Sequence, residues 1–181
     1  MKPIKPLPPK EEMSLEEKMA DVRLVAMELE GVVSDGKVLW SPEGEGFFTF
    51  YRDELAIKRW VEEGGRALVM VREGMEAASR WAGAMGVELA VHKGDKDKLL
   101  RAAVIGEGLS PAQVCYIGRE LEDLPAMMIA AVKACPPEAS EWVKEVADIV
   151  TTASGGAGAV AEIVEKLLEA RDKPGQEPGD V

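Results

Sequence analysis

At 181 residues, with 46% hydrophobic and 30% charged side chains, the chain has the length and balance of one water-soluble globular domain with a buried core. Its net charge of -11, with no basic stripe carrying interleaved aromatics, argues against nucleic acid as a partner, and no run reaches the ~18 apolar residues of a membrane span. Cys115 and Cys135 sit in apolar stretches without metal-motif spacing, so buried free thiols in a cytoplasmic protein are expected, a disulfide between them being the alternative.

Residues 1–13 are rich in proline and are expected to be extended, without the apolar core of a secretory leader. Ser14 and Glu17 form a capping box that opens a short helix ending near Ala20. "VRLVAMEL" then reads as a buried strand ending in Glu28, Glu30 and Gly31. "KVLW" and "GFFTFY" flank the turn-rich "SPEGEG" and predict a β-hairpin over residues 38–51.

Beyond it the pattern alternates. "DELAIKRWVEEGG", "GMEAASRWAGAMG", "DKDKLLRAAVIGEG", "LEDLPAMMIAA" and "PEASEWVKEVA" read as helices. They are separated by the strands "RALVMV" and "VELAVH", by a turn and a strand in "SPAQVCYIG", and by the strands "VKAC" and "DIVTT", and a last helix runs from about Gly158 to Ala170. This is the signature of βαβ units. The expectation is therefore a Rossmann-like three-layer α/β fold: a mainly parallel sheet, helices on both faces, the hairpin after the first strand and no large cap. Residues 14–171 form the single domain, and 172–181 a flexible tail.

Open parallel sheets bind ligands beyond the carboxyl ends of their strands. Here those ends offer Glu28 and Glu30, then Val71, Arg72 and Glu73, then Gly118, Arg119, Glu120 and Asp123, with Lys96 and Lys98 opening the intervening helix. Arg72 and Glu73 read as loop charges, and His92, the sole histidine, as a surface residue at a strand end. "GGAGAV" at 155–160 lacks Gly-Lys-Ser/Thr and reads as a close-packed turn rather than a phosphate loop. Trp60, Trp81 and Trp142 lie on helices as packing anchors.

The element order, with "LEGVVSDGK", "YRDELAIK", "GDKDKLL", "YIGRELEDLPAM" and "SGGAGAVAEIVEKLL", resembles the haloacid dehalogenase superfamily. Within it the chain is most similar to the capless 3-deoxy-D-manno-octulosonate 8-phosphate phosphatases, and also to the related domain of acylneuraminate cytidylyltransferases. The resemblance implies a nucleophilic aspartate, an acid/base aspartate two residues on, a hydroxyl donor after the second strand of the sheet, a charge-neutralising lysine and an acidic cluster completing a Mg²⁺ site. Carried over, the nucleophile and acid/base positions hold Glu28 and Glu30, the hydroxyl position Val71, and the lysine Lys98. Phosphate would meet Val71, Arg72 and Lys98. The metal positions are Glu28, Glu30, Glu120 and Asp123, while Arg119 stands where the family's "GDDxxD" has its first aspartate. Glu54 and Ala56 replace two glycines of the family's "RDGxG" loop.

These departures bear on chemistry. Glu for Asp moves the reacting oxygen by up to about 1.5 Å, and a displacement of about 1 Å can cost on the order of a hundredfold in rate. Val71 has no proton to donate, and a lost donor costs roughly a hundred- to a thousandfold. A guanidinium at position 119 repels Mg²⁺ and is expected to take its place, pairing with Glu28 or Glu30 and with Asp123.

The expected function is thus a catalytically impaired phosphatase-like protein, a pseudoenzyme acting as a structural or interaction oligomer. The alternatives are a Mg²⁺-dependent sugar-phosphate phosphatase with an altered site and a non-hydrolysing sugar-phosphate-binding module. The resemblance implies a homotetramer with the hairpin between subunits, through Val38, Trp40, Phe47, Phe48, Phe50 and Tyr51.

Overall fold

The computed structural model describes residues 13–42 and 44–173. The extended segment expected before residue 13 and the tail from 174 onward lie outside the described residues. Helix α1 (Leu15–Asp21) opens at the capping box: Glu17 N–H donates to Ser14 Oγ at 3.2 Å and Ser14 N–H to Glu17 Oε2 at 2.7 Å.

Six strands form one sheet: β1 (Leu24–Glu28), β4 (Arg66–Arg72), β5 (Glu88–His92), β6 (Val114–Ile117), β7 (Val132–Cys135) and β8 (Ile149–Val150), in the order β5-β4-β1-β6-β7-β8. Every pairing is parallel. Alternating side chains feed two cores. Val25, Met27, Val69, Val71, Cys115 and Ile117 pack against helices α2 (Tyr51–Glu62), α3 (Glu76–Met85) and α7 (Ala159–Asp172). Leu24, Ala26, Leu68, Met70, Val114 and Tyr116 pack against α4 (Lys96–Gly106), α5 (Leu124–Met127) and α6 (Glu141–Val146). This is the three-layer arrangement that the alternating pattern predicted, and α7 continues through Asp172, into the expected tail. Both cysteines are buried and free.

The hairpin exists but is displaced. β2 (Leu39–Ser41) pairs antiparallel with β3 (Gly44–Gly46), so the returning strand is "GEG" rather than "GFFTFY". The aromatics have other duties: Phe47 packs edge-on against Trp81 at 6.1 Å, and Tyr51 already belongs to α2. Trp60 is fully buried, whereas Trp142 is 63% exposed on α6 and is no packing anchor.

Two long-range ties fix the last helix. Asp53, wholly buried on α2, accepts from the backbone N–H groups of Gly158 and Ala161 at 3.0 and 2.8 Å, supplying α7 with the cap its own Gly158 lacks. The "GGAGAV" segment is the close-packed turn expected of it. Gly156 N–H donates to Val32 O at 2.8 Å, and a Cβ on Gly155 would fall 1.9 Å from Gly31 O.

Candidate functional site

The chain runs outward from β1 to β4 and β5, then returns through α4 to β6 on the other side of β1. The loops after β4 and β6 therefore part over the end of β1, leaving the crevice where open α/β sheets place ligands. β1 delivers Glu28 there with its carboxylate almost wholly buried (3% exposed). Glu28 needs a counter-charge, and Lys96 (3% exposed), the first residue of α4, provides it: Nζ lies 2.6 Å from Glu28 Oε2 and 2.7 Å from Asp123 Oδ1.

Asp123 is saturated. Oδ1 accepts from Lys96 Nζ and, at 3.0 Å, from the Tyr116 hydroxyl; Oδ2 accepts from the backbone N–H groups of Arg119 and Glu120 at 2.8 and 2.9 Å. A carboxylate offers about four lone-pair sites, and all are used. Its burial and the Glu28 and Asp123 charges raise the Tyr116 hydroxyl well above its ordinary value, so it stays a donor. His92 completes the cluster from the end of β5, its Nε2 3.5 Å from Glu28 Oε2.

Glu30 sits on the wide turn that follows β1, and its carboxylate oxygens are buried without a hydrogen-bond donor. Burial and the neighbouring Glu28 charge push its carboxyl up to about 7. Burial opposes ionisation of Glu28 too, but His92, a proton from Glu30 and the Lys96 charge prevail, holding it at about 2. Two bare carboxylates would have no donor between them; one proton on Glu30 supplies it. Arg72, ending β4, stands beside this pair with Nε 3.3 Å from Glu30 Oε1, and its Nη2 donates to Glu45 of the hairpin.

The structure brings together the strand ends that the sequence singled out, but places two residues differently and adds a third. The lysine in the crevice is Lys96. Lys98 is exposed, because two residues along a helix turn a side chain by about 200°. His92 is buried in the cluster rather than on the surface, and Tyr116 was not anticipated. The stripe Lys96, Leu100, Val104 marks the buried face of α4 and is visible in the sequence.

Arg119 also differs from expectation. Among the described residues its side chain pairs with neither Glu28, Glu30 nor Asp123; Nε lies 3.5 Å from Glu120 Oε1. The guanidinium rests on the turn after β1, where a Cβ on Gly31 (φ 80°) would fall 2.1 Å from Nη1 and one on Gly36 3.1 Å from it. Glycine at 31 thus answers both a left-handed backbone and the arginine lying on it. Val71 is buried in the core and presents no donor.

Mg²⁺ asks for several hard oxygen ligands around one point. Among the described residues no three acidic, histidine or cysteine side chains converge on such a point. Glu28 is held by an ammonium, Asp123 has no free lone pair, Glu120 is exposed, and the loop between them carries a guanidinium. As arranged, these side chains do not fit the ion.

The 3-deoxy-D-manno-octulosonate 8-phosphate phosphatase of Haemophilus influenzae is 26% identical over 161 residues, covering 88% of this chain and 89% of that one. The Yersinia pestis enzyme is 28% identical over 160 residues, covering 87% and 85%. A solved structure of the Moraxella catarrhalis phosphatase, in complex with magnesium ion, phosphate ion and a KDO molecule, matches with a TM-score of 0.83 at 28% identity, covering 87% and 91%. Over most of its length this chain is similar to these phosphatases in both sequence and fold. The cobalt-bound form of the Haemophilus influenzae phosphatase matches at 0.81 and 25%, covering 85% of this chain and 91% of that one. No protein-family model matches the chain. The mainly parallel sheet is as expected, and among the described residues there is no large cap.

Proposed function

We propose that this protein keeps the phosphatase fold but not its metal-dependent hydrolysis, and acts through binding or assembly. The observation that carries the reading is the Arg119 guanidinium lying on Gly31 and Gly36, in the loop that follows Glu28. A fixed monocation there repels a divalent ion, and the family's metal positions Glu28, Glu30, Glu120 and Asp123 are otherwise engaged or turned outward. At the nucleophile position, Glu28 is held by Lys96 and His92; at the acid/base position, Glu30 holds a proton up to about 7. The family lysine role falls to Lys96 rather than Lys98, and Val71 leaves a transferring phosphoryl group without its hydroxyl donor.

The test is phosphate release from a panel of sugar phosphates, including 3-deoxy-D-manno-octulosonate 8-phosphate, with Mg²⁺ and with Co²⁺. No turnover above buffer is expected. Turnover that a chelator abolishes restores the phosphatase reading.

Assembly is supported by the exposed apolar side chains on and after the hairpin: Leu39, Trp40 (75% exposed), Phe48, Phe50 and Tyr51 are exposed, with Val38 half-buried. Phe47 is the exception in the expected interface, since it faces Trp81 and the core. A homotetramer is the proposed state, and light scattering at micromolar concentration tests it; a monomer removes this role. The buried free thiols support a reducing, cytoplasmic setting, and no helix among the described residues is long and apolar enough to cross a membrane.

A further inference from the structure

One side chain in the crevice comes from outside the sheet. Glu45 lies on β3, directly across the hairpin from Trp40, and its carboxylate reaches the Arg72 guanidinium at the end of β4. Arg72 is thereby held between two carboxylates, Glu45 on the hairpin and Glu30 on the turn after β1. Of the two, Glu45 is the partner that the Arg72 Nη2 donates to, and it is carried on the hairpin rather than on the sheet. The Glu45 side chain is 16% exposed while that of Arg72 remains 41% exposed, so the arginine is the more solvent-accessible member of the pair.

A guanidinium recognises carboxylates and phosphates through the same planar fork. We infer that Glu45 is an internal stand-in for an anionic ligand: Arg72 is the oxyanion-receiving residue of this site, and a phosphate or carboxylate group occupies it by displacing Glu45. This rests on the non-hydrolysing reading above and names the ligand chemistry of the same site. The hairpin is released as the ligand enters, so occupation and the placement of Trp40 are coupled.

The experiment is equilibrium binding of inorganic phosphate by titration calorimetry to the full chain, to Glu45→Ala and Glu45→Gln, to Arg72→Ala and to Glu45→Ala/Arg72→Ala. Circular dichroism and thermal melts accompany each to confirm folding; both side chains are partly exposed and neither lies in a hydrophobic core. Removing the internal competitor is expected to tighten phosphate on the order of tenfold in both Glu45 variants, the weight of one charge-assisted hydrogen bond. The gain shrinks with added salt, and binding is lost wherever Arg72 is absent. An unchanged affinity in folded Glu45→Ala, phosphate binding that survives in the double variant, or no binding by any variant overturns the inference. Hydrolysis is scored separately by phosphate release, so turnover refutes the non-hydrolysing reading and leaves the competition between Glu45 and phosphate to be read from the affinities.

Discussion

Lys96 Nζ lies 2.6 Å from Glu28 Oε2, and both side chains are all but sealed from solvent. An ion pair at that depth is held by mutual need more than by net gain, and the loss of one partner strands the other. Lys96→Met leaves Glu28 and Asp123 without their shared cation and is expected to cost about 3–5 kcal/mol in urea unfolding. Lys98→Met, two residues on and exposed, should stay within about 0.5 kcal/mol. Equal effects in the two variants would refute this arrangement of the crevice.

Tyr116 supplies one of four protons to Asp123, the others coming from Lys96 and two backbone amides. Tyr116→Phe therefore leaves the carboxylate mostly satisfied. Its expected cost is about 1–3 kcal/mol, the range for a hydrogen bond to a charged group. A loss as large as that of Lys96→Met would mean that the hydroxyl, not the ammonium, organises the cluster.

The pair Glu28 and Glu30 gives stability a particular pH dependence. Glu28 is lowered from 4.5 to about 2, so its contribution is complete above 4.5 and fades as pH falls toward 2. Glu30 is raised from 4.5 to about 7, so the folded protein keeps a proton that the unfolded chain gives up. Its contribution is complete below 4.5 and is lost as pH rises through 7. Melting temperatures of the native chain should accordingly decline between pH 5 and pH 8 relative to those of Glu30→Gln, which removes the titrating carboxyl. Parallel curves for the two proteins count against the shared proton.

At Gly31 two costs can be separated. Gly31→Ala places a Cβ on the Arg119 guanidinium and forces a left-handed backbone on alanine. The backbone part alone is about 1–2 kcal/mol. Introduced into Arg119→Ala, the same change should lose the steric part and keep the backbone part, so the double variant is destabilised by less than the sum of the two single ones. Additive effects would place Arg119 elsewhere in solution.

Much of this was legible in the chain. The run that ends at Glu28, the alternation of strands and helices and the Ser14 capping box announce the sheet and its crevice because hydrophobic period and caps are local signals. The hairpin's second strand was not, because "GFFTFY" has the stronger β-propensity while "GEG" makes the pairing. Phe47 is taken by Trp81 and Tyr51 by α2, contacts remote in sequence. The family motif aligns its lysine with Lys98, whereas the helical register turns Lys96 inward, and one register decides between opposite faces. His92 reads as a surface residue and Tyr116 carries no signal at all, because each is buried by groups from other strands, Glu28 for the one and Met70 for the other.

The two amides that Asp53 serves lie 105 and 108 residues further along the chain. Until residues 158–161 have been made and brought back, that carboxylate has neither these donors nor the α7 packing that encloses it. Helix α2 therefore cannot reach its final solvation on the nascent polypeptide before α7 arrives. Docking of α7 becomes a late step that closes the domain and buries Asp53, and a chain halted before residue 158 leaves the apolar face of α2 that receives α7 uncovered for a proteolytic or chaperone system to find.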